Sequence, residues 1–181
     1  MDLYAVVVTA LWAMVPAYVP NNAAVLAGGG RPIDGRRELG GRRLLGDGKT
    51  WRGTAAGVAA GAVLALGMNR AATPIGEALA VDLPEFAAAA VLALPVGAML
   101  GDIGASFLKR RAGRERGAPF PGLDQLDFVV GAVALAAVAA SGWFGDVFTV
   151  PVLATVLAVT PVLHIGMNGL AYLAGLKDEP W

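Results

Sequence analysis

Five mostly apolar runs, each ended by a polar or glycine-rich segment, organise this chain: 3–26, 53–68, 86–108, 128–145 and 147–176. A membrane-crossing helix needs about 20 such residues. The pattern therefore predicts an all-α integral membrane protein, one membrane-embedded domain over 1–181. Its five transmembrane helices are expected over about 3–27, 53–69, 85–111, 125–144 and 148–176. The first run is uncharged, although Pro16, Pro20, Asn21 and Asn22 make its second half irregular. The second is short and opens with GTAAGVAAGA, small residues that permit close helix packing. Asp102 is the only charge in the third run, and the fifth must tilt, bend at Pro161 or begin late. Met1-Asp2 supplies no basic n-region, and the first run outlasts a typical signal h-region, so it reads as a retained helix.

The segments between the runs set the orientation. Of 14 Lys and Arg residues, seven lie in 31–52 and five in 109–116, leaving Arg70 and Lys177. Segment 70–85 instead holds Arg70 against Glu77, Asp82 and Glu85. The positive-inside rule places both basic loops in the cytoplasm, with the N-terminus outside and the C-terminus inside. Two cytoplasmic loops thus carry the candidate chemistry of a multi-pass cell-membrane protein. Gly28-Gly29-Gly30 reads as a flexible exit from the first helix.

Composition narrows the chemistry. The chain is 56% hydrophobic and 15% charged, against about 25% charged in soluble domains. Cysteine is absent, which removes disulfides and thiolate chemistry, and His164 is the only histidine. Any metal must be held by oxygen, which favours Mg²⁺, Mn²⁺ or Ca²⁺. His164, within an apolar run, reads as a structural residue before it reads as a base.

A charge inside a membrane helix costs about 2.5–3.5 kcal/mol at the bilayer centre on insertion scales, so Asp102 stands out. Asp102, Ser106 and Lys109 fall on one helical face at spacings of four and seven. They suit a metal ligand, a phosphate-bonding hydroxyl and a phosphate-binding cation, or a buried Asp–Lys pair with a snorkelling lysine. Asp124 and Asp127 follow Pro119, Pro121 and Gly122 at a helix start, where the helix dipole and capping favour one acidic residue. Together with Asp102 they make two or three carboxylates, enough to seat one or two hard cations.

The first basic loop ends Gly46-Asp47-Gly48-Lys49-Thr50-Trp51-Arg52-Gly53. A Walker A motif needs glycine five residues before Gly48, where Arg43 stands, and no strand precedes it. What remains is a glycine-rich turn whose amides, with Lys49 and Arg52, can hold an anion at a helix N-terminus. The alternative is a set of topology residues with an interfacial tryptophan. Arg31, Arg36, Arg37, Arg42 and Arg43 read as topology signals or contacts to anionic headgroups. Asn21 and Asn22 line a polar cavity or bond freed backbone carbonyls.

Two segments together resemble the CDP-diacylglycerol synthase superfamily of cytidylyltransferases. Gly48-Lys49-Thr50-Trp51-Arg52-Gly53 is close to that family's GKTW-x-G element. Gly101-Asp102, Ser106, Lys109-Arg110, Pro121-Gly122, Leu123-Asp124 and Asp127 follow its GD-x3-S-x2-KR, PG and LDR-x-D signature. The family's HGG is missing and Gln125 stands where it has arginine, which leaves those roles unassigned. The compact second loop, the five helices, PNN at 20–22 and GDGKTWRG resemble the archaeal branch, the CDP-archaeol synthases.

The resemblance implies transfer of CMP from CTP to a membrane lipid phosphate, 2,3-bis-O-(geranylgeranyl)-sn-glycerol 1-phosphate in the archaeal branch, with release of pyrophosphate. It implies Mg²⁺, with Mn²⁺ and an additional monovalent cation as alternatives. Asp102 and Asp124 would hold the metal, with Asp127 as ligand or supporting neighbour. Lys49, Arg52, Lys109 and Arg110 would bind the triphosphate or lipid phosphate, assisted by Ser106. Thr50, Asn21, Asn22 and Arg43 complete the substrate-binding candidates. Expected partners are CTP, the lipid phosphate and the bilayer; nothing points to nucleic acid, and an apolar helical surface permits a homodimer. The competing readings are a CTP-dependent polyprenol kinase, which would release CDP, and a small ion or solute transporter using Asp102. A CDP-alcohol phosphotransferase lacks support because its DG-x2-AR signature is absent.

Overall fold

The computed structural model describes residues 2–114, 120–173 and 175. Met1, Arg116, Pro119, Leu176 and Lys177, which entered the sequence reading, lie outside the described residues. The elements in chain order are α1 (Leu3–Leu26), β1 (Glu38–Leu39), β2 (Arg42–Arg43), α2 (Trp51–Leu79), α3 (Ala88–Arg111), α4 (Leu123–Ala139), α5 (Ser141–Val147) and α6 (Val150–Leu173). The protein is an all-α membrane protein built as a bundle of several helices. Four described helices, α1, α2, α3 and α6, are long and apolar enough to cross a membrane. At 17 residues, α4 spans about 26 Å, slightly less than a typical hydrocarbon core.

Three elements depart from the sequence pattern. Helix α2 continues to Leu79, beyond the apolar run. Hydropathy marks the stretch that needs burial, whereas residues 70–79 remain helical until Ala80 adopts a left-handed conformation and its N–H bonds Glu77. The fourth apolar run is split into α4 and the short α5. The first basic loop, expected as a cytoplasmic loop without strands, is a folded hairpin, with Glu38 opposite Arg43 and Leu39 opposite Arg42.

Glycine sets the closest helix contacts. On α2, Gly53, Gly57 and Gly61 face the carbonyls of Ala24, Pro20 and Pro16; a Cβ on each would come within 3.0, 2.6 and 2.6 Å of those oxygens. Proline at 20 removes the N–H that would otherwise bond the Pro16 carbonyl, and Gly61 lets α2 approach that exposed oxygen. Between α3 and α4 the fit is tighter still. A Cβ on Gly97 would meet the Gly131 oxygen at 2.4 Å, and one on Gly131 would meet the Gly97 oxygen at 2.2 Å. In a membrane, where lipid is as apolar as the side chains, such close backbone packing drives association.

Around these contacts Met14, Leu94, Val129, Val152 and Val156 form the buried centre. The Tyr18 and Thr160 hydroxyls, 2.8 Å apart, tie α1 to α6. At the far end, the Trp12 and Trp143 indoles donate to the Pro84 and Glu85 carbonyls at 2.9 and 2.8 Å. Asn69 exchanges two hydrogen bonds with the backbone of Phe86.

Candidate active site

At the opposite end, α1 and α3 stop while α2 and α4 begin, and here the chain gathers its charged residues. Two ion pairs join three separate segments: Lys49 of the first loop with Asp102 of α3, and Lys109 of α3 with Asp124 of α4. All four side chains are about one-fifth exposed, between 19% and 23%. Asp127 lies one turn beyond Asp124 and within electrostatic reach of Asp102, Lys109 and Asp124.

Local structure explains the convergence. Asp102 follows Gly101, whose missing side chain lets α3 lie on the backbone of Asp127. Gly122, with φ 86°, turns the chain into α4, and Gln125 accepts a hydrogen bond from its N–H. Thus the position held by arginine in the superfamily signature serves here as a helix cap. Asp124 Oδ2 accepts the Phe120 N–H at 2.9 Å, which fixes the entry to α4.

Lys49 comes from a loop folded around Asp34, whose side chain is 1% exposed. Asp34 accepts from the Arg36, Leu45 and Gly46 amides at 3.0, 3.1 and 3.1 Å, and from Arg43 at 2.9 and 3.2 Å. Burial alone raises its pKa, but the bonds from Arg43, Gly46, Leu45 and Arg36 together hold it well below the usual carboxylate range. The hairpin rests on the end of α3: Arg111 donates to the carbonyls of Leu39, Arg42 and Arg43, and Arg110 to that of Leu45.

The other candidate residues divide by their contacts. Ser106 sits one turn past Asp102, half-buried on the same face of α3. Thr50 is buried and caps α2, accepting the Gly53 N–H at 3.1 Å. Arg52 donates to the carbonyls of Ala27 and Gly28 at the end of α1. Gly28-Gly29-Gly30 is therefore a held turn, with Gly29 and Gly30 at φ 83° and 87°, and the expectation of a flexible exit is corrected. Arg43 bonds Asp34 and also Asp47, at 2.9 Å. Asn22 is exposed, whereas the Asn21 carbonyl oxygen is buried without a hydrogen-bond partner among the described residues. His164 meets Asn168 one turn along α6.

Among the described residues no three acidic side chains form a ready-made metal cluster, and lysines hold Asp102 and Asp124. The donor set nevertheless suits a hard divalent cation. Asp102, Asp124 and Asp127 offer only oxygen, and Asp124 Oδ1 is buried with the Lys109 ammonium as its one partner among the described residues. The Asn21 side-chain oxygen is likewise buried and unsatisfied among the described residues.

Sequence reasoning missed Asp34 and the clamping role of Arg111. Pro32, Asp34 and Gly35 carry a turn signature that points to the first; no local signal points to the second.

A family model described as CarS-like, CDP-archaeol synthase, matches residues 3–181. The CDP-archaeol synthase of Halobacterium salinarum (strain ATCC 29341 / DSM 671 / R1) is 65% identical over 181 residues, covering 100% of both chains. That of Haloarcula marismortui is 67% identical over 181 residues, again covering 100% of both. A solved structure of an intramembrane enzyme for archaeal membrane lipid biosynthesis superposes with a TM-score of 0.70 at 39% identity, covering 88% of this chain and 92% of that one. Matched along almost its entire length by this family, the chain belongs to the CDP-archaeol synthases.

Proposed function

We propose that the carboxylates and lysines at the α3–α4 end carry out the family's reaction, CMP transfer from CTP to a lipid phosphate. The chain is a nucleotidyltransferase of the CDP-archaeol synthase type. The lipid we assign is 2,3-bis-O-(geranylgeranyl)-sn-glycerol 1-phosphate, and the products are CDP-archaeol and pyrophosphate.

The lipid phosphate is already an anion at neutral pH, so attack on the α-phosphorus needs no strong base. The barrier lies in bringing two anions together and holding the charge that grows on the departing pyrophosphate. Positioning and electrostatics lower such a barrier. In this reading Asp102 and Asp124 hold Mg²⁺, with Asp127 as a third donor. A divalent cation there would neutralise triphosphate charge and polarise the reacting phosphoryl group. Lys49 and Lys109, drawn in by the carboxylates, stand ready for phosphate oxygens, and Ser106 and Asn21 are assigned as further substrate contacts. Arg43, Arg52, Arg110 and Thr50 hold the frame, as their protein partners indicate.

The observation that carries this reading is the pair of ion pairs joining loop, α3 and α4 at one end of the bundle. We place that end in the cytoplasm by the positive-inside rule, with α4 as a fifth crossing. The isoprenoid chains then lie between helices and open to the bilayer. Purified protein with labelled CTP, Mg²⁺ and the archaeal lipid phosphate should form a CDP-lipid and pyrophosphate. Release of CDP with a phosphorylated lipid would support the kinase instead. Diacyl phosphatidate as a parallel substrate tests the lipid assignment.

A further inference from the structure

We propose that Asp34 is a positioning residue that sets Lys49 against Asp102. Desolvating a carboxylate is costly unless it is paired and hydrogen-bonded, yet Asp34 is almost fully enclosed within a surface loop. Its two oxygens gather Arg36, Arg43, Leu45 and Gly46, residues on both sides of the hairpin. Lys49 is then strapped to the same cluster from both directions. The Lys49 N–H donates to the Gly46 carbonyl at 3.3 Å, and its carbonyl accepts the Ile33 N–H at 2.8 Å. Gly46 is held by Asp34, and Ile33 is its chain neighbour. The next residue, Thr50, starts α2 by capping it, so the backbone at Lys49 has little room to adjust. Arg110 and Arg111 fix the hairpin on α3, the helix that bears Asp102. One buried carboxylate thus organises the loop that delivers the lysine, although Asp34 contacts neither member of the ion pair.

The inference rests on the reading that Lys49 serves the transfer, and a double-mutant cycle separates the two. Full-length Asp34→Ala, Lys49→Ala and the double variant are assayed with CTP, Mg²⁺ and the lipid phosphate. Misplacing a reacting group by about 1 Å can cost about 100-fold, so Asp34→Ala should lower kcat/KM about 10- to 100-fold. It should shift the same KM or kcat that Lys49→Ala shifts. In the Lys49→Ala background it should add no more than about twofold. Independent penalties that multiply, or parent-like activity for Asp34→Ala, would overturn the proposal. Parent-like activity for Lys49→Ala would overturn the lysine's role and this inference with it. If Asp34→Ala does not accumulate as folded protein, Asp34→Asn carries the same test, and failure of both to fold assigns Asp34 to stability alone.

Discussion

Gly101 of α3 lies so close to Asp127 of α4 that a Cβ on the glycine would come 2.1 Å from the aspartate's carbonyl oxygen. Asp102 is the next residue, so the helix contact and the spacing of the two acidic side chains are one arrangement. Backbone is on both sides of the contact, and no side chain can move aside to make space.

Gly101→Ala should therefore push α3 from α4 and disturb the carboxylates. Overpacking costs about 1–3 kcal/mol, so thermal unfolding should fall by several degrees while kcat drops about 10-fold or more. Gly104→Ala, where a Cβ would meet open space, is the control and should leave both unchanged. Equal behaviour of the two variants would remove the link between this contact and catalysis.

Asp102→Asn and Asp124→Asn should abolish turnover with little loss of folded protein, as judged by yield and size-exclusion profile. Substantial activity in either purified variant would refute the metal assignment. Stripping the protein with a chelator should stop the reaction, and Mg²⁺ should restore it.

Lys109→Ala should lower kcat more than it lowers yield, because the proposed mechanism places its charge against phosphate. An unchanged kcat would return this lysine to a topological role beside Asp124.

Arg52→Ala should act on the fold. Its guanidinium closes the end of α1 through two carbonyls, and a lost cap costs about 1 kcal/mol. Lower thermal stability with unchanged KM for CTP is expected; a raised KM at unchanged stability would make Arg52 a substrate contact.

Asp34 gives the hairpin a defined pH response. Its folded-state pKa is depressed, so its contribution to stability is complete above the unfolded value, about 4. That contribution is lost only as pH falls through the lower folded value. The stability difference between parent and Asp34→Asn should hold constant from pH 8 to about pH 5 and shrink below pH 4. A difference that shrinks between pH 7 and pH 5 would contradict this assignment.

The helices and the charged end of the bundle were legible because both leave strong marks on composition. Apolar length announces a membrane helix, and an aspartate within one is rarely neutral in meaning. The extension of α2 was illegible, because hydropathy reports where lipid would be and residues 70–79 continue the helix past it. Pairing of Lys49 with Asp102 was equally hidden: it depends on a long-range fold organised by Asp34, one of three acidic residues in a basic loop. The Gly97–Gly101 spacing was a readable signal, four residues apart as in close helix pairs, but its partner Gly131 was not.

At the tip of the hairpin, Gly40 and Gly41 turn the chain with φ 62° and 71° and have open space where a side chain would go. Because Arg111 secures the strands behind them, an inserted epitope at this bend would hang free of the catalytic machinery. Antibody access to it in sealed vesicles would then report directly which compartment the enzyme's working face addresses.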